Sequence, residues 1–151
     1  MEFAAHIPFV ESLGFELVSA ADGVAEIRLP LREDLLNSFK VAHGGVCMTL
    51  LDVAMAQAAR SVNRDQPGWG PGVVTVEMKT SFMRPGEGDL RAEGKLVHRT
   101  PTLAFCEGRI YNAAGQLTAH ATGTFKYLRR QPGEPRDLKP QPRHLKGSGS
   151  D

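Results

Sequence analysis

Cysteine is scarce. Cys47 and Cys106 are the only two in 151 residues, and no C-x-x-C pair occurs. That excludes a disulfide framework and a thiolate zinc site, and it makes a reducing, cytoplasmic location the expectation. Net charge is as scarce. Lys and Arg total 18 and Asp and Glu 17, for a formal net charge of +1. A chain without a basic field is not expected to bind nucleic acid. Long apolar runs are missing too. The longest stretch free of Asp, Glu, Lys and Arg, residues 110–125, contains Asn112, Gln116 and His120. No segment reaches the roughly 20 apolar residues that span a bilayer, so no membrane association is expected. The first residues include Glu2, His6 and Glu11, with no basic start leading into an apolar run, and no secretory signal is read. The five histidines lack ligand spacing, so no metal site is expected.

What is present reads as one domain followed by a tail. Apolar residues make up 41% of the chain, ordinary for a globular protein. Residues 131–151 are rich in proline and glycine and read as a disordered tail. This tail holds Arg136, Lys139, Arg143 and Lys146 against Glu134, Asp137 and Asp151. Removing them from the totals leaves 14 charges of each sign in residues 1–130. An anion site must then be a local cluster.

Helical and strand periods divide the body. Phe3, Ile7, Val10 and Leu13 have helical spacing, with Pro8 interrupting a short helix over residues 2–13. Residues 15–29 read as a hairpin turning at Asp22-Gly23, and residues 30–40 as a loop or loose helical turn. Residues 44–62 form the one long helix, apolar almost all round, which must be enclosed by something. The period becomes two from Gly72: Val74, Val76, Met78, Thr80 and Phe82 alternate with Thr75, Glu77, Lys79 and Ser81. Further strands are expected over 90–98, 103–111 and 117–128, the last two joined by a tight turn at Asn112–Gly115. One buried helix followed by consecutive antiparallel strands indicates an α+β domain in which a curved sheet wraps the helix.

Few residues stand out chemically. His43-Gly44-Gly45 opens the long helix, where unclaimed backbone N–H groups suit an anion or a developing oxyanion. The bland reading is a turn that starts a helix. Asp52 has Met48, Thr49, Met55 and Ala56 three and four residues away. It either points into apolar company, which raises its pKa, or belongs to a solvated stripe of Thr49, Asp52, Ala56, Arg60 and Asn63. Cys47 follows His43 by four residues, but a small buried apolar cysteine outweighs a Cys-His nucleophile. Arg84, Lys95, His98, Arg99, Lys126, Arg129 and Arg130 end strands, and a hairpin sheet is expected to gather some at one rim. Phe39, Met48, Leu51, Met55 and Trp69 either line a pocket or pack in the core.

Asn37, His43-Gly44-Gly45 and Asp52, spaced as they are around a helix start, resemble the hotdog-fold acyl-CoA thioesterases. The type is that of the phenylacetate pathway (PaaI), within the 4-hydroxybenzoyl-CoA thioesterase superfamily. The stretches Val74-Thr75-Val76-Glu77-Met78, Phe82-Met83-Arg84-Pro85-Gly86 and Thr102-Leu103-Ala104-Phe105 share the likeness, which covers about residues 10–128. The resemblance implies a hotdog domain over 1–130, a homodimer assembling to a homotetramer, and hydrolysis of an acyl-CoA to free acid and CoA. CoA is then part of the substrate and no separate cofactor is expected. The resemblance implies that the Gly44 N–H binds the thioester oxygen and that Asn37 holds the thioester or the attacking water. It makes Asp52 of the partner subunit the nucleophile or general base, with Thr75 orienting water beside it and His43 shaping the loop. CoA contacts fall on Arg84, Pro85 and Gly86, and on His98, Arg99 and Thr100. Strict alternation puts Thr75 on the polar face with Glu77 and Lys79, so its hydroxyl reaches Asp52 only if the strand carries a bulge. The alternative from another class is a hotdog protein that binds acyl-CoA without turnover. A hotdog dehydratase ranks low because its Asp-x-Asn-Pro-x-His type of signature is missing.

Overall fold

The computed structural model describes residues 1–129 and Pro132; the tail expectation over 131–151, Pro132 excepted, lies outside the described residues. A single long helix, α2 (Gly44–Ser61), lies against a sheet of six antiparallel strands. The strands are β1 (Glu16–Ala21), β2 (Val24–Leu29), β3 (Val73–Phe82), β4 (Leu90–Arg99), β5 (Leu103–Tyr111) and β6 (Leu117–Tyr127). They lie in the order β1-β2-β4-β5-β6-β3, so β1 and β3 are the two edges. This is the hotdog arrangement, and every strand touches the helix.

The helix must be enclosed because of its composition. Leu50, Leu51, Ala54, Met55, Ala58 and Ala59 are fully buried, and they form one core cluster with Ile27, Leu90, Ala92, Ile110 and Phe125 of the sheet. Close approach depends on two glycines that stand opposite each other in the register of β4 and β5, Gly94 and Gly108. A Cβ on Gly94 would lie 2.1 Å from the Ala54 carbonyl oxygen, so the helix backbone rests directly on the strand backbone. On Gly108 it would meet Leu51 at 3.1 Å and Met55 at 3.2 Å. The far end of the helix is tied down by polar contacts. Ser61 Oγ accepts the Gly23 N–H at 2.8 Å, and the Tyr127 hydroxyl donates to the Ala59 carbonyl at 2.6 Å.

Three local expectations change. The N-terminal helix is α1 (Pro8–Leu13): Pro8 begins it at the first helical turn, where a missing N–H costs nothing, and Gly14 ends it at φ 77°. Val62 caps the long helix from outside it. The β3 alternation breaks. Its pairing with β6 shifts register between Thr75 and Glu77, which makes Val76 the extra residue of a β-bulge. Val74 and Val76, on the face opposite Thr75 and Glu77 in a strict alternation, are 43% and 58% exposed, while Met78 and Thr80 beyond the bulge stay half-buried. In β6 the alternation survives, with Ala119, Ala121, Phe125 and Tyr127 buried.

Candidate active site

The entry to α2 is held by backbone bonds. The His43 N–H donates to Leu35 O at 2.9 Å and the Ala42 N–H to Gly86 O at 2.9 Å. Asn37 shapes the preceding loop: its Oδ1 accepts the N–H groups of Phe39 at 2.9 Å and Val41 at 3.3 Å. His43 is the N-cap, and its Nδ1 accepts the Gly45 N–H at 2.9 Å. A ring nitrogen that accepts is unprotonated, so the His43 ring holds the helix start with its other nitrogen left to carry the proton. The Gly44 N–H is left with no partner among the described residues. It points out at the positive end of the helix dipole.

Asp52 follows eight residues later. Thr75 Oγ1 donates to Asp52 Oδ1 at 2.6 Å. The bulge permits this, because residues before it face the helix with parity opposite to those after it. Burial pushes the Asp52 carboxyl above its ordinary value, and the Thr75 hydrogen bond pulls it partly back. The pair stands on a cleft of about 810 Å³ walled by α2, by Val73, Thr75 and Met78 of β3, and by Ile7, Phe9 and Val10 at α1. Of the stripe expected as one alternative to face solvent, Thr49, Asp52, Ala56 and Arg60 line this cleft and Asn63 does not.

One chain does not bring all the candidate residues together. Gly44 and Asp52 are eight residues apart on one helix, about 12 Å along its axis. No single carbonyl group sits at both. The CoA candidates also divide. Gly86 packs at the start of α2, where its carbonyl accepts the Ala42 N–H. Arg84 beside it donates from Nη1 to Leu117 O at 2.8 Å. At the other end, Arg99 Nη1 reaches Asn63 Oδ1 at 3.4 Å, and Thr100 Oγ1 closes a turn by accepting the Leu103 N–H at 3.0 Å. His98 stacks on Phe105 with ring centroids 6.2 Å apart. The expected basic rim is therefore split: Arg99 and Lys126 share one end of the sheet and Arg84 lies at the opposite end. The antiparallel pairing is the reason, since β3 and β4 finish at opposite ends.

Other candidates resolve simply. Cys47 is buried, and burial pushes its thiol up to about 11, unlike an activated nucleophile. Of the five residues read as pocket or core, only Met48 lines the cleft. Leu51 and Met55 are core, Trp69 packs against the core, and Phe39 is 83% exposed. Two cleft residues went unrecognised as site residues, Gln57 and Arg60, each nearly fully buried. The polar stripe through Asp52 and Arg60 was their visible signal.

Comparison with known proteins agrees with this fold. The family model of the Thioesterase superfamily matches residues 39–119. Human acyl-coenzyme A thioesterase 13 is 32% identical over 112 residues, covering 72% of this chain and 76% of that protein. The structure of BH2602 from Bacillus halodurans, solved with CoA, is 34% identical with a TM-score of 0.72. It covers 83% of this chain and 82% of that one. The E. coli PaaI protein of the phenylacetic acid degradation operon shares the fold, with a TM-score of 0.73 at 22% identity over 82% of this chain and 86% of that one. The chain belongs to the thioesterase superfamily.

Proposed function

We propose that this protein is an acyl-CoA thioesterase with Asp52 as its general base. The observation that carries the reading is the Thr75-bonded, half-buried Asp52 carboxylate on a largely apolar cleft. A thioester carbonyl is already electrophilic, so the tasks left are to deliver water and to stabilise the oxyanion. Asp52 takes a proton from water as the water oxygen bonds to the carbonyl carbon. The carbonyl electrons move onto oxygen, and that oxygen accepts a hydrogen bond from a Gly44 N–H. The tetrahedral species then re-forms its C=O bond and breaks the C–S bond. Asp52 returns the proton to the departing CoA sulfur, leaving free acid and CoA. Asn37 has its Oδ1 engaged in the loop, and its NH₂ group remains to hold the thioester or the water.

The separation of about 12 Å between Gly44 and Asp52 supports a site shared by two copies, Gly44 from one and Asp52 from the other. The free edge of β3, with Val74 and Val76 exposed, supports a dimer formed by strand pairing. The division of Arg84–Gly86 from His98–Thr100 supports CoA contacts drawn from more than one copy in a tetramer. No helix among the described residues is long and apolar enough to cross a membrane. Cys47 and Cys106 are free and buried, which favours a cytoplasmic setting.

The test is thiol release from a panel of aryl- and aliphatic acyl-CoA thioesters. Asp52→Ala is expected to abolish release while CoA binding persists. Wild-type protein that binds acyl-CoA but releases no thiol across the panel would instead be the non-catalytic binder.

A further inference from the structure

Beyond Asp52, the cleft ends in two polar side chains that hydrolysis as described does not use. Gln57 and Arg60 both line it, at 3% and 4% exposure. Arg60 donates from Nη2 to the Gly68 carbonyl at 2.5 Å. Its Nε is buried without an acceptor, and Gln57 Oε1 is buried without a donor, among the described residues. Arg60 forms no ion pair with any described residue. A guanidinium stays charged at every working pH, so burying it without a carboxylate is expensive. Burial depresses its pKa. Between Asp52 and Arg60 the wall is Val53, Ala56 and Val73. The other titratable groups on the cleft are His6 at its α1 side and Asp52, the latter about 12 Å away along the helix.

We propose that the cleft selects acyl groups ending in a carboxylate. The thioester carbonyl sits at Asp52, the methylene chain runs along Val53, Ala56 and Val73, and the distal carboxylate pairs with Arg60. The Gln57 amide, turned about its last bond, offers its NH₂ to the same group. This inference rests on the thioesterase reading above. Two features favour a carboxylate over a plain alkyl end. Arg60 has four N–H groups beyond the one given to Gly68. A planar fork of donors matches a carboxylate in geometry as well as charge. An alkyl terminus would leave Arg60 and Gln57 buried and unpaired, the situation in which a polar pocket rejects an apolar analogue.

The experiment compares matched thioesters that differ only at the far end: adipoyl-CoA against hexanoyl-CoA, and suberoyl-CoA against octanoyl-CoA. For wild-type protein, kcat/KM is expected to favour the carboxylate member of at least one pair by about tenfold or more. Arg60→Met is expected to erase that preference, with kcat/KM falling on the carboxylate member more than on its neutral partner, and Arg60→Lys to retain part of it. A wild-type preference for the neutral member overturns the proposal. So does an Arg60→Met loss equal on both members, which marks Arg60 as a support for the Gly68 loop only. If Arg60→Met does not fold, the wild-type ratios and Arg60→Lys decide. Thiol release from aryl thioesters with none from any of the four overturns this proposal alone; no release from either set overturns the thioesterase reading, and this proposal with it.

Discussion

Thr75 gives its hydroxyl hydrogen to Asp52 across 2.6 Å, and it faces the helix because β3 holds one more residue than β6 at that point. The bond lowers the Asp52 pKa against the larger upward push of burial. Thr75→Val removes the downward contribution alone. The acid limb of the kcat/KM profile is expected to move to higher pH, because the base then loses its proton later. Thr75→Ser is expected to keep the wild-type limb. An unmoved limb in Thr75→Val would separate Asp52 from the titration that governs rate.

Asp52→Asn is expected to lower kcat by about 10²–10⁴-fold, the usual contribution of a general base. It is also expected to raise the melting temperature at neutral pH. The sign follows from the raised carboxyl. Between the unfolded and folded pKa values, the folded chain holds a proton that the unfolded chain has lost, so stability falls as pH rises through that window. Above the window the whole cost is present, and asparagine does not incur it. Melting curves across pH should show the gap between variant and wild type open from acid to neutral and then stay constant.

Gly44→Pro removes one N–H and little else. His43 is extended at φ −60° and ψ 137°, a conformation proline accepts in its predecessor, and the first helical turn tolerates proline. A Cβ at Gly44 meets Phe82 at 3.6 Å, an ordinary contact. The expected result is a kcat loss of about 10²–10³-fold with an unchanged melting temperature. Mixing Gly44→Pro with Asp52→Asn after unfolding and refolding should restore activity, since a mixed dimer holds one intact pair. No recovery, with mixed dimers verified by mass, would place both groups in one chain's site.

Gly94→Ala is expected to cost about 3 kcal/mol or more, because backbone atoms of Ala54 occupy the space its methyl group needs. Gly115→Ala, with open space around it but φ at 77°, should cost only about 1–2 kcal/mol. Urea unfolding midpoints of the two variants give the comparison.

Periodicity and turn chemistry made most of the fold legible. The apolar circumference of residues 44–62 required an enclosing sheet, and Asp22-Gly23 and Asn112–Gly115 marked hairpins that the structure contains. What escaped were features set by count or by partners distant in sequence. A single extra residue at Val76 reverses strand parity, and nothing in the residue types of 73–78 announces it. Strand direction separated Arg84 from Arg99, both of which the resemblance had assigned to CoA, and left Arg99 with Lys126 at one end. Arg60 looked like a surface residue of the last helical turn, since arginine is seldom buried. In the structure it is interior, lining the cleft and bonded to the Gly68 carbonyl.

The contact between Ala54 and Gly94 has a consequence for tolerance to change. At Gly94 the approach of α2 to the sheet is limited by main chain meeting main chain. Leucine, isoleucine and methionine elsewhere in the core can drift among one another by small volume changes while that stop holds the helix in place. The carboxylate of Asp52 rides on the same helix two residues earlier. Its position is thereby insulated from neutral variation, and a lineage of such sequences can diverge widely in its interior without losing the placement of its acid.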